Sequence, residues 1–126
     1  MNRDEFCQKI KREFPAISAR ADKQYNRQWG DFTDTEYYSY SWFEALANAL
    51  NEEMRKETAP DKLVELLQII STAYETHEEE VRQAIDVAFV ENLFWKVPEI
   101  NCKSYWEALP QNLKELYEGF HHRTPL

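Results

Sequence analysis

Few residues in this chain are suited to chemistry at neutral pH: His77, His121, His122, and the cysteines Cys7 and Cys102. The run His77-Glu78-Glu79-Glu80-Val81 opens as a zinc-protease helix would. Val81, however, stands where the second imidazole is needed, four residues on, so one helix face does not offer two ligands to a metal. Glu118 and His121 have the i, i+3 spacing of carboxylate-bridged di-metal bundles, which also require a second Glu-x-x-His pair that the chain lacks. Cys7 and Cys102 lie 95 residues apart without a CxxC motif, which predicts free thiols rather than a redox pair or zinc knuckle. Cys102, beside Lys103, is the cysteine better placed for a lowered pKa, although an inert buried thiol is the plainer expectation. Ser39, Ser41, Ser71 and Ser104 sit in no Gly-x-Ser-x-Gly elbow. The expectation is a protein without cofactor, metal or catalytic role.

The remaining chemistry is that of surfaces. Phe32, Tyr37, Tyr38, Tyr40, Trp42 and Phe43 are interleaved with Asp31, Asp34, Glu36 and Glu44. Helical counting sends Tyr40, Phe43 and Leu46 inward and leaves Tyr37, Tyr38 and Trp42 without an obvious inward place. Either they are interface anchors, a role Tyr and Trp suit through large contact area and few rotors, or another helix or the Asp31 linker covers them. A second acidic group, Glu75, Glu78, Glu79 and Glu80, surrounds Thr76. These carboxylates are either solvated first-turn residues or a negative surface for a basic partner. The candidate partner-binding set is therefore Asp31, Asp34, Glu36, Tyr37, Tyr38, Trp42, Glu75, Glu78, Glu79 and Glu80.

The elements that must carry these residues read as helices. The 126-residue chain is 43% apolar and has only two glycines, Gly30 and Gly119, which argues against hairpins and phosphate-binding loops. Its net charge of -8 argues against nucleic-acid binding. That charge is uneven: seven basic residues face four acidic ones through Gly30, and eight face nineteen thereafter. Asn2 and Glu5 form a capping box before Phe6, Ile10 and Phe14. Pro15 restarts a helix that Gly30 closes. Tyr40, Phe43, Leu46, Ala47, Leu50 and Met54 mark a third helix over about 36–57, and a fourth follows Pro60 over about 61–75. Thr76 and Glu79 suggest a second capping box. The segment from His77 to about Trp95 is apolar on most sides, which predicts a central helix that Pro98 ends. Asn101 is a candidate cap for a short turn holding Tyr105, Trp106 and Leu109. A last helix follows Pro110, closing at or soon after Gly119, with a frayed tail from His121. The reading is all-α: a single domain over 1–126 with about six helices. The charged start, Met1-Asn2-Arg3-Asp4-Glu5, is unlike an export signal, and no stretch is apolar enough to span a bilayer, so the expected place is the cytoplasm.

In that order, Glu13-Phe14-Pro15-Ala16-Ile17, Tyr40-Ser41-Trp42-Phe43, Glu78 to Arg82 leading into Val87 to Leu93, Tyr105-Trp106 and Leu109 to Lys114 form a pattern over most of the chain. This pattern resembles that of small, acidic, all-α bacterial proteins similar to toxin-immunity proteins, such as those of contact-dependent growth inhibition. The resemblance implies a cytoplasmic protein that binds and neutralises one cognate toxin, basic nucleases being one common kind. It transfers no functional residues. The alternatives are a non-catalytic helical scaffold or adaptor and a small-molecule-binding protein.

Overall fold

A computed structural model describes residues 1–30, 38–76 and 78–126. Among them the regular structure is entirely helical: α1 Arg3–Glu13, α2 Pro15–Trp29, α3 Tyr38–Arg55, α4 Val64–Thr76, α5 Glu79–Gln83, α6 Glu99–Ala108 and α7 Gln111–His121. The Asn2–Glu5 capping box is complete, with Glu5 N–H donating to Asn2 Oδ1 at 2.8 Å and Asn2 N–H to Glu5 Oε1 at 3.2 Å. Pro15 takes the first position of α2 and Gly30, at φ +63°, ends it. A left-handed φ of that kind has little cost for glycine alone.

One apolar core joins residues from all seven helices. At its centre α3 meets α1, α2, α6 and the segment following α5. It is buried around most of its circumference, including Trp42, Phe43, Leu46, Leu50 and Asn51. Trp42 is fully buried and its indole N–H donates to Asp22 Oδ1 at 2.9 Å. It is therefore a packing residue and not the outward anchor the sequence suggested as one alternative. Its position on α3 falls on the face that packs against α2, not on the part-exposed edge that carries Tyr40 and Glu44.

The segment read as one helix from His77 to Trp95 is indeed packed from several sides, by α1, α3, α4 and α7, but it is not one regular helix. A single turn and a half of α5 passes into a π-helix over Ala84–Phe89 and a 3-10 turn over Val90–Asn92. It ends at Asn92, not at Pro98, which instead precedes α6. The cause lies in α3. Asn51, fully buried, donates to the carbonyl of Asn92 at 2.8 Å and accepts from Phe94 N–H at 2.7 Å. Arg55 donates to the carbonyls of Trp95 at 2.6 Å and Lys96 at 3.1 Å. These bonds hold Phe94 (φ 67°) and Lys96 (φ 53°) in the left-handed region, where a bulky residue is an outlier.

Other boundaries differ in detail. The Thr76 hydroxyl donates back to the Thr72 carbonyl inside α4, and Glu78 precedes α5 without a side-chain cap, so the expected Thr76–Glu79 box does not form. Asn101 lies within α6 and donates to the carbonyl of Met54 at 3.1 Å instead of capping. The last helix closes soon after Gly119, as expected, with His122 terminating α7 at φ 58°. Trp29 and Phe120, at apolar positions of α2 and α7, are exposed. In the tail, Pro125 is buried rather than frayed.

Candidate interaction surface

The first turn of α1 draws together two parts of the chain far apart in sequence. Arg3 N–H donates to Glu80 Oε1 at 2.9 Å, at the start of α5. Its guanidinium Nε donates to the buried Ser39 Oγ at 2.9 Å, at the start of α3, and lies 5.8 Å from the centre of the Tyr40 ring. Ser39 in turn donates to Asp4. The aromatic entry of α3 and the Glu78–Glu80 turn thus share one end of the molecule, with Arg3 between them.

Tyr40 extends this end into a half-buried acidic strip. Burial, together with the charges of Glu91, Glu44 and Asp86, raises its phenol above the ordinary value against the opposing pull of Arg3. Asp86 lies in the π-helix and is raised by burial; Glu91 follows it and is raised by burial and by Asp86. A carboxylate shifted in this direction binds its proton more tightly because its charged form is poorly solvated. None of Glu44, Asp86 and Glu91 forms an ion pair with a described residue. Sequence reasoning missed all three as site residues. Their only signal was acidity in a helical stretch, which is too common to select them.

Tyr38 is half-buried. Its hydroxyl accepts from Lys11 Nζ at 2.7 Å, its ring packs edge-on against Tyr25 at 4.8 Å, and Lys11 lies 4.9 Å above it. Burial lowers the Lys11 ammonium, but its bond to Tyr38 and the charges of Cys7, Tyr38 and Asp22 leave it above its ordinary value. Glu78, Glu79 and Glu80 are exposed, and Glu79 lies 3.9 Å from Arg82. Glu75, also exposed, accepts from Asn112 Nδ2 at 2.9 Å, tying α4 to α7. Asp31, Asp34, Glu36 and Tyr37, like His77, lie outside the described residues.

The nucleophile and metal candidates are elsewhere and are not assembled. Cys7 and Cys102 are free and buried, and burial pushes the Cys7 thiol up to about 12 and raises Cys102 as well. A thiol protonated at neutral pH is a poor nucleophile. Among the described residues no three His, Cys, Asp or Glu side chains gather as a metal site, and no helix is long and apolar enough to cross a membrane.

Fold and surface together define an all-α domain whose distinguishing feature is a polar, aromatic-edged face. The chain belongs to the DUF7674 family, described as a domain of unknown function, whose family model matches residues 7–123. No curated protein and no solved structure matches it.

Proposed function

We propose that this protein is a cytoplasmic immunity-type inhibitor that binds and neutralises a cognate, basic bacterial toxin, without catalysis. The observation that carries this reading is the convergence on Arg3: Glu80 from one segment and Ser39 with Tyr40 from another meet at one end. The acidic strip of Glu44, Asp86 and Glu91 adjoins Tyr40 there. Long-range attraction to such a strip speeds encounter with a basic surface, and aromatic contact slows dissociation. Two carboxylates held above their ordinary range are costly in the isolated protein, and a cationic partner side chain relieves that cost.

The test is capture of partners by the tagged full chain from a lysate of its own host, washed at low and then high salt. Each captured protein is then expressed alone and together with this chain. The reading requires one basic, stoichiometric partner that arrests growth alone and is silenced by coexpression. A harmless partner, or only abundant proteins lost in the salt wash, contradicts it.

The adaptor alternative is favoured by one separate observation. Trp95 (62% exposed) and Ile100 (86% exposed) protrude beside the loop that Asn51 and Arg55 hold in place. An exposed anchor on a restrained loop, with a second on the first turn of the helix that follows, suits a second contact. An adaptor requires two partners bound at once, one of them lost on Trp95→Ala and the other retained.

A further inference from the structure

Where α2 begins, the chain forms an open cavity of about 400 Å³, bounded by the first turn of α2, the end of α3 and the 3-10 turn Pro60–Lys62. The volume is within the range of small-molecule sites. Phe14, Ile17, Ala59 and Leu63 supply apolar walls, and none of the lining residues belongs to the acidic end. The polar groups decide what chemistry fits.

Glu53 is the most buried of them, at 6% exposure, and its carboxylate is already engaged. One oxygen accepts from the Thr58 hydroxyl at 2.9 Å and the other is ion-paired with Arg20. Oε1 is buried without a hydrogen bond to a described residue, so Glu53 depends on the charge of Arg20 for its compensation. Arg20 keeps its side chain 50% exposed, and a guanidinium has five N–H donors, so donors remain at the cavity mouth. Lys62 is exposed at the same mouth and forms no ion pair with a described residue. The opposing charge is Glu13, exposed on the rim at the end of α1. The charges of Arg20 and Glu53 cancel and Lys62 stands opposite the solvated Glu13, so the mouth is balanced in charge; what suits an anion there is its donors, the N–H groups that Arg20 does not use on Glu53 and the ammonium of Lys62.

We propose that this cavity binds a small organic carboxylate, its apolar body between Phe14, Ile17, Ala59 and Leu63 and its head group against Arg20 and Lys62. The site is independent of the toxin-binding reading, and the failure of either leaves the other standing.

The experiment is an amide-resolved NMR titration of the full chain with octanoate, with octylammonium and 1-octanol as head-group controls. The expected result is saturable shifts confined to residues 14–20 and 58–63, with octylammonium at least about fivefold weaker, on the scale of one exposed ion pair. Lys62→Glu, on an exposed turn where charge reversal spares the core, weakens octanoate by about fivefold and leaves octanol unchanged. Ala59→Trp, which fills the cavity from an exposed position, abolishes binding of all three while the rest of the spectrum keeps its dispersion. The proposal is overturned by no saturation with octanoate up to about 5 mM. It is equally overturned by octylammonium binding as tightly, by shifts centred on Trp95 and Ile100, or by an unchanged octanoate affinity in Lys62→Glu.

Discussion

Asp86 and Glu91 bear most directly on function because they weaken the fold they belong to. Both have a pKa raised by burial, so their contribution to stability is full below the ordinary carboxylate range and is lost as pH rises through the raised values. At neutral pH, therefore, the ionised pair opposes folding. Asp86→Asn with Glu91→Gln is expected to stabilise the protein by about 0.5 kcal/mol, a small value because both groups are only partly desolvated and solvent screens them. The same pair of changes weakens binding of a basic partner. Urea unfolding of the double variant checks the first expectation, and a loss of stability removes the argument that these charges are retained for binding. Cys7 gives the opposite kind of check, on the core. Its thiol is pushed from an ordinary 9.0 to about 12, so the stability it contributes is complete below pH 9 and falls as pH rises toward 12. The slope attributable to it approaches about 1.4 kcal/mol per pH unit in that window. Cys7→Ala should flatten the alkaline limb of a stability–pH curve; an unchanged limb means the thiol is hydrated. Legibility at this scale was mixed. Both thiols were read as free and Cys102 as buried and inert, whereas Trp42 was left between packing and interface. Its partner, Asp22, comes from another helix, and no spacing within α3 announces it.

Among the elements, α1 to α4 were largely readable because their signals are local. A capping box, a proline in a first turn, a terminal glycine and apolar residues at helical steps each act within a few positions. The stretch after Thr76 was not, because its geometry is decided from a distance. An apolar run of that length is equally compatible with an α-helix and with the π-helix over Ala84–Phe89. Its end is set by Asn51, 41 residues before Asn92, through bonds that no local pattern encodes. Asn51 should therefore behave as a structural keystone. Asn51→Leu leaves the Phe94 N–H and Asn92 carbonyl without their partner and removes the restraint on a left-handed Phe94. The expected loss is about 2–4 kcal/mol, read from the urea midpoint. A loss below about 0.5 kcal/mol would mean that the loop holds its shape without α3. This loop bears Trp95, so the same variant reports whether the adaptor surface depends on preorganisation.

Over the whole molecule, charge is distributed more tellingly than its total suggests. The excess of basic residues before Gly30 and of acidic residues after it was legible in the sequence. What was not legible is how the two meet. Arg3, from the basic part, sits at the junction of the Glu78–Glu80 turn and the aromatic entry of α3. Glu44 lies one turn along α3 from Tyr40, but only the fold brings Asp86 and Glu91 to the same ring. Of the candidate set read from sequence, Tyr38 and the Glu78–Glu80 turn share an end with carboxylates that were not selected, while Trp42 is in the core and Glu75 ties α4 to α7. The central claim is that this acidic end meets a basic toxin by electrostatic steering. It is tested most directly by stopped-flow association of the captured partner with the wild type and with Asp86→Asn/Glu91→Gln, across ionic strengths. The account predicts a wild-type association rate that falls steeply with salt, a smaller slope in the variant, and dissociation rates that change little. An association rate indifferent to salt, or the same slope in both proteins, would contradict it.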